Sequence, residues 1–299
     1  MGTDQQDLGD MPAIGAAGVV AGQLYVVATP IGNLADTSFR ARAVLSQVDA
    51  ILCEDTRVTG LYCHALGINR PKEAFHQHNA VKRLGGILHR LQAGQTLALV
   101  SDRGLPTVSD PGRELVQACS DAGIRVCVVP GPSAVTTAFA GSGYPHPFIF
   151  WGFLPPSGQK RRQALEDVAE SRYTQIFYEA PHRLRSTLED FQRVLGMERE
   201  LTVARELTKP YEEFWKGTVQ SALVESEKER FRGELALVLA PGGPRRAERL
   251  NPTSDAFWSA LVALVSEYVD QGLSDTDAIR RVASQFRVPR RAVYNRVHG

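Results

Sequence analysis

Short apolar and β-branched runs alternate with longer amphipathic stretches through most of this 299-residue chain. This alternation is typical of βαβ units, in which a helix connects two parallel strands of one sheet. From Leu24 we predict the strands LYVVA, AILC, LALVS and VCVV, with helices between them that include AVKRLGGILHRLQ and RELVQACSDAG. A further helix after Asp36 would carry Phe39, Ala43 and Val44 on one face. The first half is therefore predicted to be an α/β domain with a largely parallel sheet.

A second series of strands begins near Phe148 and comprises FIFWGF, TQIFYE, ELTVARE, EEFWKGTV and ELALVLA, with helices near 160–170 and 182–195. Charged and aromatic side chains on several of these strands favour a sheet that is partly antiparallel and half solvated. The segment AGSGYPHP between the two series is rich in Gly and Pro and is the predicted domain boundary. We therefore predict two α/β domains, at 23–141 and 146–241.

The two ends of the chain differ from this pattern. Residues 1–22 show no helical or strand period and are predicted to be a disordered leader. Residues 242–254 are rich in Pro, Gly and Arg and are predicted to be a linker to a helical tail at 255–299, with helices at about 255–271, 275–285 and 289–298. From residue 271 to the end the tail carries six arginines and two aspartates, which indicates either a solvated helical face or a surface that contacts RNA.

The composition excludes several classes of protein. The formal net charge is +1, so any surface that binds nucleic acid must be local. The four cysteines form no CxxC pair and no cluster with zinc-site spacing, which predicts a reducing cytoplasm and no metal site. No run of about 18 apolar residues is present, and the N-terminus does not resemble a secretory signal, so we expect a cytoplasmic protein without a membrane span.

The common nucleotide and protease motifs are absent from the sequence. There is no GxGxxG after the first strand, no GxxxxGK[ST] and no HExxH. GPSAV lacks the second glycine of a nucleophile elbow, because Val135 occupies that position. Dinucleotide-binding, P-loop, zinc protease and serine hydrolase interpretations are therefore disfavoured.

Three polar loops, each rich in Gly and Pro, directly follow predicted strands: ATPIGNL at 28–34, SDRGLPTVSDPG at 101–112 and PGPSAV at 130–135. Ligands of open α/β sheets bind beyond the carboxyl ends of the strands, so the loops are predicted to converge on one pocket. Glycine allows the backbone to approach a ligand closely, and proline fixes the shape of a loop. Each loop alone could be a tight strand-to-helix turn, but the three together favour a small-molecule site.

The loops and their surroundings also carry a resemblance. The ordered blocks LYVVATPIGNLADTSFRARAVLSQVDAILCEDTRVT, SDRGLPTVSDPG, VPGPSAV, GFLPP, IFYEAPHRL and VARELTK resemble the tetrapyrrole methylase family, in the branch that methylates small-subunit ribosomal RNA. The resemblance covers about 24–240, with a weaker match in GLSDTDAIRRVASQFRVPRRAVY. It implies two α/β domains with an S-adenosylmethionine site in the cleft between them, and a homodimer. It also implies 2′-O-methylation of a cytidine ribose in the decoding region of 16S rRNA.

The resemblance assigns cofactor-binding roles to residues of all three loops and of the second domain. They are Thr29, Pro30, Ile31, Gly32 and Asn33, then Asp102, Gly104, Leu105 and Pro106, then Ser133 and Ala134, and finally Tyr178 and Ala204. Backbone N–H groups could hold the cofactor's carboxylate, and apolar walls could hold its adenine. Asp102 could take a ribose hydroxyl or the amino group, or it could cap the following turn; Tyr178 could equally be core packing.

Candidate catalytic groups lie in three further blocks that match the family. They are Glu54, Asp55 and Arg57 in EDTRVT, Glu179, His182 and Arg183 in YEAPHR, and Arg205, Glu206 and Lys209 in ARELTK. A ribose hydroxyl is a poor nucleophile that benefits from a base, so we favour Glu54 as proton acceptor before His182, with arginines such as Arg57 holding phosphates. The alternative is an intramolecular lattice of salt bridges between the two domains.

One loop departs from the family pattern, which commonly has SDAGTP where this chain has Arg103 and Leu105. We expect Arg103 to point outward to the RNA backbone. The predicted RNA-binding set is Arg103, Lys160, Arg161, Arg162, Arg183 and Arg205, with the aromatic residues Trp151 and Phe153 nearby. Cations on phosphates and bases stacked on aromatic rings are the components of single-strand RNA binding, whereas the alternative is a helix N-terminal loop with solvated cations.

Two other functions stay open on the sequence. The first is a small-molecule methyltransferase of the same fold, acting on a corrinoid type of substrate. The second is a non-catalytic RNA-binding assembly factor that keeps the cleft as a scaffold. The basic loop and tail argue against a small-molecule substrate. The resemblance implies that the partner is the 16S rRNA or the small ribosomal subunit.

Overall fold

The structure is a computed structural model that describes residues 18–228, 230–242, 254–286 and 288–298. It contains two compact units. The first comprises the described residues up to Leu165 and those from Tyr173 to Ala240, and the second comprises Glu166–Arg172 and the described residues from Pro241 onward. The predicted leader is outside the described residues except at 18–22, and most of the predicted linker is outside them as well.

The first sheet is entirely parallel, as predicted, with strand order β3-β2-β4-β1-β5. Its strands are β1 (Leu24–Val27), β2 (Ala50–Cys53), β3 (Lys72–Ala74), β4 (Leu97–Val100) and β5 (Val126–Val129). Strand β3 was not predicted, because it is three residues long, contains two charged residues and lies at the edge of the sheet.

Helices cover both faces of this sheet: α1 (Phe39–Leu45), α2 (Thr56–Ala65), α3 (Ala80–Gln92) and α4 (Arg113–Asp121). Alternate residues of β1 belong to two separate cores, with Leu24 and Val26 in one and Tyr25 and Val27 in the other. The near-continuous apolar strands follow from this burial on both faces.

Helix α1 buries a different face from the predicted one. Ala41, Val44 and Leu45 are buried, whereas Phe39 is 74% exposed. Phe39 is the first helical residue after the N-cap Ser38, and the i, i+3, i+4 pattern from Ala41 defines the buried face instead. The prediction for Phe39 is therefore wrong.

The second sheet has the order β6-β7-β10-β8-β9. Its strands are β6 (Phe148–Phe153), β7 (Thr174–Glu179), β8 (Glu200–Arg205), β9 (Glu213–Thr218) and β10 (Leu235–Leu239). Only β6 and β7 pair in parallel, so the prediction of a partly antiparallel sheet is confirmed. The helices of this half are α5 (Ala134–Ser142), α6 (Gly158–Glu170), α7 (Pro181–Leu195) and α8 (Val219–Glu227).

Helix α5 shifts the boundary between the two halves. Val135 and Ala138 of α5 pack in one core with Ile176, Ala204 and Val238 of the second sheet. The chain therefore changes sheets at 130–133, upstream of the predicted boundary segment at 140–147, and both sheets lie in one compact unit. The Gly and Pro cues at 140–147 mark the end of α5 instead, where Gly143 adopts a φ of +67° at the C-cap.

The tail contains the three predicted helices, α9 (Asp255–Asp270), α10 (Asp275–Phe286) and α11 (Arg290–His298). They share a small core that includes Leu261, Ile279, Val282 and Val293. Helices α10 and α11 are separated by three residues, one of which is Pro289. In the described part of the chain, no helix combines the length and apolarity that crossing a bilayer requires.

Candidate functional site

The three Gly- and Pro-rich loops converge at the carboxyl edge of the first sheet, as predicted. Thr29 N–H donates to the Gly104 carbonyl at 2.8 Å, and Gly104 N–H donates back to the Thr29 carbonyl at 3.1 Å. The third loop packs against the first, since a Cβ built on Gly131 would lie 2.8 Å from the Ala28 Cβ. A side chain at position 131 would therefore separate the two loops.

A cavity of about 370 Å³ opens beside these loops, and its walls come from both halves of the first unit. Seven of the predicted cofactor residues line it: Ile31, Gly104, Leu105, Ser133, Ala134, Tyr178 and Ala204. Val108, Leu207 and Ala236 add to its apolar wall. Burial raises the pKa of Tyr178 to about 12, so its hydroxyl stays protonated at neutral pH.

A second, smaller cavity of about 240 Å³ lies on the other side of the first loop. It is lined by four further residues of the predicted cofactor set: Thr29, Pro30, Gly32 and Asp102. Leu34, Val58 and Tyr62 complete much of its wall, and Arg103 lines both cavities. The residues predicted to bind one ligand are thus divided between two adjacent cavities.

Two residues of the predicted cofactor set line neither of these cavities. The Asn33 side chain accepts the Ala35 N–H at 3.0 Å and caps a 3₁₀ turn over Leu34–Asp36. Pro106 is buried within its loop. Asn33 and Pro106 therefore shape their loops, and neither residue lies in a cavity wall where a ligand could contact it.

Asp110 is a cavity residue that the sequence interpretation missed. Its carboxylate is in the wall of the larger cavity, and burial raises its pKa to about 6 with help from the charges of Glu54 and Asp102. A hydrogen bond from Ser101 opposes this shift. The only signal in the sequence was its place in the second loop, SDRGLPTVSDPG.

Glu54, Asp55 and Arg57 follow β2, as predicted, but they differ in environment. Burial and the charge of Asp102 raise the pKa of Glu54, although its side chain is exposed at the surface. Asp55 caps α2 by accepting the Arg57 N–H at 2.8 Å, and its ion pair with Arg57 at 2.6 Å helps to lower its pKa to about 2. Asp55 N–H also donates to Asp102 Oδ1 at 3.2 Å, which connects this turn to the second loop.

Arg161 faces the interior rather than RNA. Only 8% of the residue is exposed; Arg161 Nε pairs with Asp190 Oδ2 at 2.6 Å, and its Nη1 donates to the Pro155 carbonyl at 2.9 Å. Lys160 and Arg162 on either side are exposed. Because its guanidinium is committed to the fold, we withdraw Arg161 from the RNA-binding set.

Glu179 and Arg183 belong to the same buried network. The Glu179 carboxylate accepts the Thr187 hydroxyl at 2.6 Å, and Thr187 in turn accepts Arg161 Nη2 at 3.0 Å. Arg183 Nη2 donates to the Leu154 carbonyl at 2.7 Å. These contacts hold the loop after β6 against α7 within the second half, so they are not the lattice of salt bridges between the two domains that the alternative described.

The remaining charged candidates of the second sheet are also paired. Arg205 Nε contacts Glu213 Oε2 at 2.8 Å, and Lys209 Nζ contacts Glu206 at 2.8 Å and Glu234 at 3.0 Å. Arg103 forms an ion pair with the same Glu234 at the rim of the larger cavity. Arg103 is half exposed, so the structure gives it an intramolecular partner in place of the expected outward position.

The aromatic candidates and His182 occupy different surroundings. Trp151 Nε1 donates to Gln175 Oε1 at 2.9 Å, and its ring stacks parallel to Phe177, so Trp151 packs within the second half. Phe153 is 51% exposed and lines the larger cavity. His182 is exposed in the first turn of α7 and is outside the lining of both cavities. Among the residues that the structure describes, no group of His, Cys, Asp and Glu is arranged to hold a metal ion.

Comparison with known proteins places these features in a family. The family model for tetrapyrrole (corrin/porphyrin) methylases matches residues 23–223. The chain is 44% identical over 274 residues to ribosomal RNA small subunit methyltransferase I of Synechocystis sp., which covers 91% of this chain and 96% of that protein. It is 41% identical over 280 residues to the protein of the same name in Bacillus subtilis, covering 93% of this chain and 94% of that one.

Two solved structures of similar fold are methyltransferases. The methyltransferase CobJ superposes with a TM-score of 0.58 at 18% identity, covering 74% of this chain and 95% of that chain. A uroporphyrin-III C-methyl transferase from Thermus thermophilus, complexed with S-adenosyl homocysteine, superposes with a TM-score of 0.52 at 17% identity, covering 73% and 97%. At these identities the likeness is one of fold.

Proposed function

The chain belongs to the tetrapyrrole methylase family, in the branch of the ribosomal RNA small subunit methyltransferase I proteins, and we propose that it methylates small-subunit ribosomal RNA. The methyl group would come from S-adenosylmethionine and go to the ribose 2′-oxygen of a cytidine in the decoding region of 16S rRNA. The larger cavity is the observation that carries this proposal, because residues of all three loops and of the second sheet line it. The chain that forms it is 44% identical to a ribosomal RNA small subunit methyltransferase I.

The larger cavity fits S-adenosylmethionine by size and charge. Its volume of about 370 Å³ and its apolar wall suit a ligand with an adenine ring. Asp110 and Glu234 place two carboxylates in the wall near Arg103, which suits a sulfonium and an ammonium group alongside one carboxylate. The backbone N–H groups at Ser133 and Ala134, where α5 begins, could hold that carboxylate.

A proton acceptor is the second requirement of the reaction. The cofactor supplies a methyl group on a positively charged sulfur, so the protein has to orient the ribose hydroxyl and accept its proton. Glu54 is the acceptor favoured by the sequence, and Asp110 is the carboxylate that the structure places in the cavity wall. Arg57 would hold a phosphate nearby. Glu54, Arg57 and His182 all lie outside the lining of both cavities. Glu54 is the stronger candidate than His182 because burial and the charge of Asp102 raise the pKa of its carboxylate.

RNA would bind through exposed cations at two surfaces, each described within its own unit. In the first unit, Lys160 and Arg162 are exposed at the start of α6. In the second, Arg290, Arg291 and Tyr294 are exposed on α11, where an aromatic ring accompanies the cations. Such combinations favour contacts with phosphates and unpaired bases.

The decisive experiment is methyl transfer from labelled S-adenosylmethionine to small ribosomal subunits from cells that lack this protein. We expect one new ribose methyl group on 16S rRNA, mapped by mass spectrometry of nuclease fragments. Corrinoid precursors serve as the competing substrate, and label in them but not in RNA would contradict the proposal. Calorimetry with the cofactor tests the assembly-factor alternative, which predicts no binding with or without RNA.

We also propose that the protein is a cytoplasmic homodimer. Exposed apolar side chains near the β5 edge of the first sheet support the dimer: Phe39 is 74% exposed on α1, which Arg40 Nη2 connects to Cys127 Sγ of β5 at 3.2 Å, and Val128 of β5 is 50% exposed. Light scattering after size exclusion should give twice the mass of 32.8 kDa, and Phe39→Asp should shift it towards the monomer. A monomeric unaltered protein would contradict this proposal.

A further inference from the structure

The wall of the smaller cavity contains apolar side chains that are exposed to solvent. It is formed by the loop after β1, the start of α2 and the loop after β4. Leu34 and Val58 line it, and although both are apolar they are 43% and 40% exposed. Exposed apolar side chains around a depression are typical of a surface that a ligand covers.

This cavity is adjacent to the larger one. Pro30 and Gly32 line the smaller cavity, whereas Ile31 between them lines the larger one. The first loop is therefore the partition between the two cavities. Arg103 is part of both walls, and it forms an ion pair with Glu234 of the larger cavity.

The chemistry of the smaller cavity suits a flat ring with hydrogen-bond donors at its edge. Leu34, Val58 and the ring of Tyr62 offer apolar faces, and the volume of about 240 Å³ is small for a ligand of the size of the cofactor. Asp102 supplies a carboxylate, which uses Oδ1 to accept the Asp55 N–H. A carboxylate accepts the amino group of cytosine but repels the carbonyl that uracil carries at the same position.

We propose that the smaller cavity holds the cytosine base of the target nucleotide, with Asp102 accepting its amino group and Val58 packing against its face. This assignment rests on the proposed function and moves Asp102 from the cofactor to the RNA substrate. An enzyme that acts on one nucleotide of a structured RNA gains selectivity by taking that base out of its stack into a pocket. The two cavities would then place the methyl donor and the target nucleotide on either side of Arg103.

Two residues of α2 provide a matched test. Val58→Asp places a charge in the smaller cavity, and Leu61→Asp places the same charge on the same helix at a side chain that is 75% exposed and outside the cavity lining. Position 58 is in the first turn of α2, where an aspartate is compatible with the helix dipole. Equal melting temperatures of the two variants would show that both fold.

Three measurements on the full chain test the assignment: cytidine 5′-monophosphate and uridine 5′-monophosphate binding by NMR at millimolar concentration, S-adenosylmethionine binding by calorimetry, and methylation of small subunits. We expect Val58→Asp to weaken the cytidine nucleotide and slow methylation by about tenfold or more, with cofactor affinity unchanged. Leu61→Asp should match the unaltered protein in all three. Asp102→Asn should remove the preference for cytidine over uridine nucleotide while retaining cofactor affinity.

Several outcomes would overturn the assignment. They are no binding of the cytidine nucleotide to the unaltered protein, equal behaviour of Val58→Asp and Leu61→Asp, or a loss of cofactor affinity in Val58→Asp as large as the loss of nucleotide affinity. The proposed function fails separately, if the unaltered protein binds the cytidine nucleotide but methylates no small subunits. If it methylates them and Val58→Asp does so equally fast, only the cavity assignment fails.

Discussion

The two halves of the first unit use charged residues in opposite ways. At the carboxyl edge of the first sheet, Glu54 and Asp110 lie near the further acid Asp102, and the pKa values of Glu54 and Asp110 are raised. In the second half, by contrast, Arg161 and Arg205 have carboxylate partners within 2.8 Å. Charges that neutralise one another stabilise a fold, whereas like charges gathered at a cavity are prepared for a ligand or a proton.

The difference follows from the topology of the sheets. The carboxyl ends of parallel strands all meet at one edge, so the loops of the first sheet bring their acids together. In the antiparallel part of the second sheet, neighbouring strands present side chains directly opposite each other, and Arg205 is in register with Glu213. Cross-strand partners of opposite charge then pair with one another.

The largest expected effect breaks the buried network of the second half. Arg161→Ala removes the buried partner of Asp190, which keeps its ion pair with the exposed Arg193, and leaves the Pro155 carbonyl and Thr187 without the Arg161 donor. We expect a loss of about 3 kcal/mol in the free energy of unfolding, measured by urea denaturation. RNA affinity of the protein that remains folded should be unchanged.

The neighbouring exposed residue is the control. Arg162→Ala should cost less than about 0.5 kcal/mol in stability, because the side chain is at the surface. It should instead weaken binding to small subunits and lower the salt dependence of that binding. If Arg161→Ala were stable and deficient in RNA binding, the division between structural and functional cations would be wrong.

The second prediction separates the two candidate proton acceptors. Asp110→Asn should lower the methylation rate at pH 7.5 by about 10²-fold, because an amide cannot accept the proton. Because the pKa of Asp110 is raised to about 6, the methylation rate of the unaltered enzyme should decrease as the pH falls through 6. Cofactor affinity, measured by calorimetry, should change by much less than the rate.

Glu54→Gln is the matched change at the other carboxylate. If Glu54 is the acceptor, its variant should show the large loss of rate while Asp110→Asn keeps the acidic limb of the pH profile. A full rate in both variants would remove both carboxylates from the role of base. Loss of cofactor affinity in Asp110→Asn would make Asp110 a binding residue instead.

Much of the fold and part of the site could be predicted from these residues. Apolar periodicity identified nine of the ten strands found in the described residues, and the Gly and Pro content of the loops after β1, β4 and β5 identified the edge where they meet. These features depend on local sequence and on one topological rule. The individual residues that line the two cavities, such as Tyr178 and Ala204, came instead from the resemblance to the tetrapyrrole methylase family.

The direction in which a charged side chain faces could not be predicted. Lys160, Arg161 and Arg162 are equivalent as a run of cations, and only the packing of α6 against the carboxylate of Asp190 buries the middle one. Helix α5 was missed because its apolar residues directly follow a loop and contact strands far along the chain. Asp110 was missed because its pKa depends on acids from other segments.

The third prediction concerns Arg103, a cation that connects the two halves at the rim of the larger cavity. Glu234→Gln releases Arg103 from its ion pair, and we expect the affinity for small subunits to rise a few-fold because the guanidinium becomes available to phosphate. Arg103→Ala should lower that affinity and reduce the salt slope by about one. Unchanged affinity and slope in both variants would leave Arg103 with a purely intramolecular role.

The smallest expected effect is on the pH dependence of the free energy of unfolding, compared between one carboxylate in each half. The Arg205 and Arg230 guanidinium groups hold the pKa of Glu213 below its usual value, so this carboxylate stabilises the fold at neutral pH and the contribution is lost as the pH falls through the lowered pKa. Asp110 affects stability in the opposite direction. Its pKa of about 6 is above the usual value for an aspartate, so the free energy of unfolding falls as the pH rises from about 4 to 6.

At pH 7.5, Glu213→Gln should therefore destabilise and Asp110→Asn should stabilise the protein, each by about 1 kcal/mol. Urea denaturation at pH 7.5 and pH 5 checks both signs, since the effect of Asp110→Asn should shrink at the lower pH while that of Glu213→Gln should persist. Effects of the same sign would show that the surroundings of these two carboxylates do not differ as the ion pairs and the acid cluster indicate.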